Sequence, residues 1–471
     1  MVNLNPLQIK IDDITITKFD GSDTMSILPQ FVELVLYQSI FEPALKAEML
    51  INDQIGLFDN YPLTGEELVT IRYKSVDSAK SSNSIDKRLK MIIKGVRDIL
   101  VDDRARSRMY TMDLISPEYL QNVRKYVSHA YYERIEDMAE KVYEEYVSNP
   151  TKEKFNITKP FKKEESLKIR NLVIPNLRPF QAIQWLAKHA VAKDYENHFL
   201  YLFYEDIEGY NFLTLQQLVE DALPKRNELM AKKYKYVSDI EITKSSAFSV
   251  SDPDEDQRYI TNIVNNKRFS SIEKVAGGYY QNELFEISLL QKAYHSTPTE
   301  LKDRNDNKYA LGPFPLNTKD YIKYVKNDVE KTEYSNRIRY IINNYKDFDD
   351  GGKSQPGYRY KFGNASKYLY ALNQIDLTIT VPANMNLKAG DIIYCDIPEV
   401  YGFQVQEKDK YLSGLFMVTE VKQVIGIGER AVTTLRINKD GYLNSLFENS
   451  LYNTSKLVTP LPGGRVGGPV W

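Results

Sequence analysis

The residues able to do chemistry in this chain are few, and their spacing works against them. Four histidines, His129, His189, His198 and His295, lie on unrelated segments and never at a ligand spacing such as H-E-x-x-H. Cys395 is the only cysteine, so it forms no internal disulfide, and it lacks the histidine partners a thiolate zinc site needs. Gly352-Lys353-Ser354 resembles the end of a phosphate-cradling loop, but Asp347 stands where that loop needs its first glycine. Asp252, Asp254 and Asp256 alternate like calcium ligands, yet Gln257 and Ile263 occupy the places of the required glycine and glutamate. Asp303, Asn305 and Asn307 fail in the same way at Lys308 and Phe314, and polar turns account for both runs. There is no G-x-S-x-G elbow, and Gly426-Ile427-Gly428 leads into a strand and not the helix of a dinucleotide fingerprint. Glu144-Glu145 belongs to a charged helix face, and His189 to an amphipathic helix where a structural role suffices. The residues thus predict no catalytic, cofactor-binding or metal site, and a protein that is not an enzyme. Because glycosidase carboxylates meet only in three dimensions, a glycan-cleaving or glycan-binding protein is the alternative.

Length and composition set the frame for whatever positions these residues. The 471 residues correspond to about three domains. Hydrophobic residues at 42% and charged ones at 27% describe a globular chain. With 62 Lys and Arg against 64 Asp and Glu, the formal net charge is -2, which excludes the polycationic mode of nucleic-acid binding. No run of about 18 apolar residues occurs, so no membrane segment is expected. The start, Met1-Val-Asn-Leu-Asn-Pro, lacks a basic and apolar leader, and synthesis in a cytoplasm is expected. The 35 tyrosines suit packed, partly wet interfaces.

The elements follow from periodicity. Residues 1–116 read as β structure: an apolar strand from Phe31 to Gln38, a turn at Pro43, then Leu45, Ala47, Met49 and Ile51 in alternation. Leu63-Thr-Gly65 introduces a strand from Leu68, Ser75 to Asp86 reads as a loop, and Leu89 to Ile99 and Met109 to Ile115 are further strands. Ser116-Pro117-Glu118 is a helix start, after which Leu120, Val123, Val127 and Ala130 recur at helical spacing. A second helical run from Ile135 to Tyr146 should stop at Asn149-Pro150. Arg178-Pro179 opens another helix, and a hairpin around Glu208-Gly209 closes the segment 117–223. Residues 224–365 form a mixed region with a linker, a strand from Leu284 to Leu290 and a largely helical stretch from Asp320 to Asn344. In 366–450 strands return at Ile375 to Val381, Asp391 to Ile397, Gly414 to Val424 and Arg430 to Ile437. Residues 451–471 are a Gly- and Pro-rich extended tail ending in Trp471.

Three ordered stretches carry a resemblance. Phe31-Val-Glu-Leu through Asp53 leads to Gly65-Glu66-Glu67-Leu68-Val69-Thr70-Ile71. Leu202-Phe-Tyr-Glu-Asp-Ile-Glu-Gly-Tyr-Asn-Phe-Leu213 runs into a short helix. Leu387-Lys-Ala-Gly-Asp391 is followed by Ser413 to Val421 and Thr433 to Arg436. In order and spacing these resemble the baseplate hub proteins of contractile-tailed, T-even-like bacteriophages. The resemblance implies an α+β, β-rich fold with two small tail-tube-like β-barrels flanking a mixed α/β middle. It also implies a homotrimer whose two barrels per chain make a pseudo-sixfold ring. Such a ring joins a hexameric tail tube or tube-initiator protein to a trimeric central spike, meets baseplate wedge proteins, and passes phage DNA without specific binding. Its place would be the virion. Function would then reside in interfaces, for which the apolar strand residues Phe31, Leu34, Leu36, Ile93, Ile379, Val381, Phe416 and Val418 are the candidates, with Trp471 as an anchor on a neighbour.

Overall fold

The computed structural model describes residues 9–75, 86–102, 107–194, 198–236, 257–267, 277, 281–289, 292–300, 311, 314–315, 337–342, 361, 365, 368–382, 384–401, 404–409, 411–427 and 431–442. The first block is all strand: β1 (Ile9–Thr17), β2 (Thr24–Ser26), β3 (Phe31–Ser39), β4 (Lys46–Asp53), β5 (Leu68–Ser75), β6 (Asp86–Asp102) and β7 (Ser107–Ile115), with the single-turn α1 (Leu57–Asn60) between β4 and β5. They lie in the order β3-β4-β7-β6-β5-β1-β2. The alternation read from the sequence is what buries: in β4, Ala47, Met49 and Ile51 are 2% exposed or less, beside Ile14, Leu36, Ile71, Met91 and Met112 in one core.

The middle layer mixes helices and small sheets: α2 (Pro117–Arg124), β8 (Ala130–Arg134), α3 (Ile135–Tyr143), α4 (Asn149–Phe155), β9 (Phe161–Lys163), β10 (Ile169–Val173), α5 (Pro179–His189), β11 (Tyr201–Glu205), β12 (Tyr210–Thr214), α6 (Leu215–Ala222) and α7 (Arg226–Ala231). Met138, Val142, Ile183, Leu186, Phe203 and Phe212 share its core. Two expectations fail here. Helical spacing through Ala130 does not continue α2, because Ala130–Arg134 pairs with Ile169–Val173 as a two-stranded sheet. Nor does Pro150 stop the next helix. The chain passes from α3 through a π turn at Glu144–Ser148 into α4, where proline occupies the first turn and needs no amide partner.

Next come β13 (Tyr234–Tyr236), β14 (Tyr259–Ile260), β15 (Asn262–Lys267), β16 (Gln281–Ser288), β17 (Ala293–Glu300), β18 (Phe314–Pro315) and β19 (Arg337–Ile342). The helix expected from 320 to 344 is corrected over its described part: Arg337–Ile342 is a strand, parallel to β16. Isoleucines at 338, 341 and 342 are β-branched and lose little in an extended strand. The last block holds β20 (Ile375–Pro382), β21 (Ile392–Asp396), β22 (Pro398–Tyr401), β23 (Gln404–Lys408), β24 (Gly414–Gly426), β25 (Ala431–Lys439) and β26 (Gly441–Tyr442). Ile375, Leu377, Ile379 and Val381 are all 0% exposed in a third core with Phe416, Val418, Leu435 and Ile437.

The chain is therefore α+β and β-rich, but the two ends are not two separate closed barrels. Both belong to one sheet of 14 strands, and no strand pairing closes either curl among the described residues. Among the described residues no helix is long and apolar enough to cross a membrane.

Candidate functional site

The two ends of the sheet are built alike. In the first block, β3-β4-β7-β6-β5 are successive antiparallel neighbours. In the last, β15-β20-β25-β24-β21 stand in the same antiparallel order with the same order along the chain. The match extends to single residues. The register of β6 on β7 slips between Ile93 and Gly95, and that of β24 on β25 slips between Val418 and Glu420; β6 slips a second time, between Arg97 and Leu100, where β24 does not. Ile93 faces Leu114, which faces Ala47; Val418 faces Ile437, which faces Leu377. The amide of Ile93 donates to the Glu67 carbonyl (3.1 Å), and that of Val418 donates to the Asp391 carbonyl (2.8 Å). A bulge at one matched position is a designed feature of a strand pair, so two of them mark one unit used twice.

Matched turns lead into the third strand of each unit. The amides of Thr64 and Lys388 each donate to the carboxylate three residues on, Glu67 and Asp391. Gly65, two residues before its acid, and Gly390, one before its acid, both take φ +95°, a conformation that favours glycine, so the turns share their bond and not the place of the glycine. The two acids differ in surroundings. Burial works against the Glu67 carboxylate, but donation from the amide and hydroxyl of Thr64 and from Gly65 holds it below the usual range. Burial raises Asp391 to about 6, offset in part by the Lys388 amide and charge, with Asp206 and Glu208 adding repulsion.

One strand joins the units. Along one edge of β24, residues 414–417 pair with β21 and residues 420–426 pair with β3. The far end of β24 thus leaves its own unit: Ile425 and Ala431 are buried in the first core and not the third. A groove of about 940 Å3 runs over this joint, lined from both units. Its charges neutralise one another. Arg97 contacts Asp113 (2.9 Å) and Glu48 (2.8 Å), and Arg436 contacts Asp376 (2.7 Å) and Glu420 (3.1 Å). Lys94 and Lys422 line it as well, so the groove carries both signs of charge and no strong single-sign field.

A buried ionic cluster fixes the middle layer to the first unit. Lys159 Nζ lies 2.7 Å from Glu118 and 2.5 Å from Glu205. Glu205, on β11, also accepts from the Leu45 amide (2.8 Å) and the Ser116 hydroxyl (2.6 Å). Ser116, read from the sequence as a helix cap, spends its hydroxyl here and makes no cap bond. One ammonium serves two carboxylates. Burial therefore raises Glu205, because its half share of Lys159 only partly offsets it, while Lys159, seeing both acids, is raised despite its own burial.

The sequence-predicted interface side chains are placed elsewhere than a surface. Phe31, Leu34, Leu36 and Ile93 are buried in the first core, and Ile379, Val381, Phe416 and Val418 in the third. Apolar strand residues mark the covered face, and the joint between the two units within the chain is made by strand edges. Trp471, the tail 451–471, Gly352-Lys353-Ser354, Asp252, Asp254, Asp256, Asp303, Asn305, Asn307 and most of the loop from Ser75 to Asp86 lie outside the described residues. Ile263 sits in β15 and Phe314 in β18. His198 is buried against Glu164 (2.7 Å), His189 contacts the Trp185 carbonyl (2.8 Å), and the Cys395 thiol is buried and raised by that burial. Among the described residues no three His, Cys, Asp or Glu side chains form a metal-ligand group.

No family model matches the chain, and no curated protein matches it. Solved structures do. A tail protein from Neisseria meningitidis MC58 is similar over 91% of this chain and 98% of its own, at 10% identity and a TM-score of 0.48. The 43 kDa tail protein of prophage MuSo2 from Shewanella oneidensis is similar over 90% and 97%, at 9% identity and a TM-score of 0.47. Prophage tail protein gp18 from Listeria monocytogenes EGD-e is similar over 91% and 96%, at 8% identity and a TM-score of 0.39.

Proposed function

We propose that the chain is a structural hub of a phage tail baseplate, a homotrimeric ring in which two like units per chain give three copies a pseudo-sixfold outline. The observation that carries the reading is the repeated five-stranded unit, with its matched bulge and turn, joined edge to edge within one chain. Two units of one topology in fixed relation let three copies present six similar faces. A ring so made can abut a hexameric tube on one side and a trimeric spike on the other. Rotation closes such heterologous contacts. The groove over the joint, with its arginines already paired to carboxylates, fits a lining that lets nucleic acid pass without holding it. Partners in this reading are further copies of the chain, the tail tube or its initiator, the central spike and baseplate wedge proteins, in the virion. Residues 1–116 and 366–450, the latter completed by β15 (262–267), are then the ring modules, 117–223 the outer layer, the rest of 224–365 a decoration and 451–471 a docking tail. Native mass spectrometry of the purified chain tests this. A mass of three chains is expected, and a monomer at every concentration refutes it.

A further inference from the structure

We infer that the ring closes by pairing the outer edge of β15 in one copy with the far half of β6 in the next, with Leu100 facing Val264 and Val101 facing Ile263. The inference rests on the proposed ring and names its interface. Its template is the joint inside the chain. There β3, the first strand of the first unit, pairs with residues 420–426 of β24, beyond the bulge. The equivalent of β3 in the second unit is β15. The equivalent of β24 in the first unit is β6.

Both equivalents have the edge the template uses left open. β15 pairs β20 alone, so the other edge of residues 262–265 has no strand partner among the described residues. β6 pairs with β5 only over residues 86–92, just as β24 pairs with β21 only over 414–417. Beyond the bulge, where β24 receives β3, residues 95–102 of β6 receive no strand on that edge among the described residues.

The side chains there are the wrong kind for water. Ile99, Leu100 and Val101 are 54%, 67% and 64% exposed, and Val264 is 47% exposed. A run of three exposed apolar residues on an open strand edge invites pairing, and natural edges are usually protected against it. The register comes from the template. Val424 faces Val432 on its own hairpin and Val35 across the joint; Leu100 faces Met109 on its hairpin. Val35 and Val264 occupy matched places opposite Glu48 and Thr378. Leu100 thus maps to Val424, and Val264 to Val35. One step on, Ile425 and Leu34 face each other and are both 1% exposed in the first core. Their equivalents are Val101, now exposed, and Ile263, packed only partly against the third core. The incoming hairpin end would complete that core as Ile425 completes the first.

The test is a cysteine pair, Leu100→Cys with Val264→Cys, in the full chain under mild oxidation. Cys395 is fully buried and stays out of the reaction. A denaturing gel should show covalent dimers and trimers, ending at the trimer because the ring closes. The pair Leu100→Cys with Asn265→Cys, one residue out of register and so facing the other side of the sheet, should give far less. A native mass of three chains with no in-register cross-link overturns this edge assignment and leaves the proposed ring standing. A monomer by native mass overturns both.

Discussion

Replacing Lys159 by methionine isolates the contact that holds the middle layer to the first unit. Met keeps the length of the stem and removes the charge. Glu118 and Glu205, at 1% exposure each, then face one another without a cation. Breaking one side of a buried ion pair costs about 3–5 kcal/mol, because the remaining charge stays desolvated. Here the loss is tempered, since burial already raises the Glu205 carboxyl and uptake of a proton would relieve the uncompensated charge. About 3 kcal/mol is therefore the expected figure, at the low end of that range. Hydrogen exchange reads it locally. The Leu45 amide donates to Glu205 and should exchange roughly a hundredfold faster in Lys159→Met, since each 1.36 kcal/mol is tenfold. The Met49 amide, inside the sheet, should change far less. Double replacement, Lys159→Met with Glu118→Gln, should recover part of the loss by removing the like charge. Unchanged protection at Leu45 in Lys159→Met would show that the cluster does not fix the layer, and would refute the reasoning.

Three further outcomes follow from the matched turns and the joint. Asp391 is raised to about 6, so its contribution to stability is present below its unfolded value of 3.8 and lost as pH rises through about 6. Between pH 4 and pH 8, urea titrations should show wild type losing about 2 kcal/mol relative to Asp391→Asn; parallel pH curves would contradict it. Gly65→Ala and Gly390→Ala should both be destabilising, by about 1 kcal/mol from the positive φ alone. Gly390→Ala should cost distinctly more, because its new Cβ would lie 2.7 Å from the Tyr204 hydroxyl, whereas the one at Gly65 meets open space; equal midpoints would be evidence against the turn geometry. Ile425→Ala should cost about 2–4 kcal/mol and loosen the first core and not the third, since that side chain is buried with residues of the first unit; amide protection confined to the third core would contradict the assignment.

How much of this was legible in the sequence depends on which force set each element. Where one face of a strand is buried, the two-residue period survives in the residue types, as in Ala47, Met49 and Ile51 or Ile375 to Val381, and those strands stand where the pattern puts them. Where short strands are set by a partner, the pattern misleads. Ala130–Arg134 is drawn out by Ile169–Val173, and Arg337–Ile342 by β16. Pro150 reads as a stop only if its place in a first helical turn is unknown. The cluster at Lys159 joins residues far apart in sequence, and no spacing announces it. The repeat is invisible for a different reason: its two copies share pairing order and a bulge, which are backbone properties, while Asp113 in one stands where Arg436 stands in the other. Apolarity alone does not separate a core from a contact, and the apolar strand residues named as interface candidates lie in the two cores. The proposed contact has its own trace in Ile99-Leu100-Val101, an apolar run that breaks the alternation near the end of β6.

The most direct measurement is an electron cryomicroscopy map of the purified assembly along its axis. The account predicts an open annulus of six similar lobes with true threefold symmetry, in which every second lobe boundary is the β24–β3 joint within a chain and the others lie between chains. A compact single copy, or a ring whose lobes alternate between unlike shapes, would contradict it.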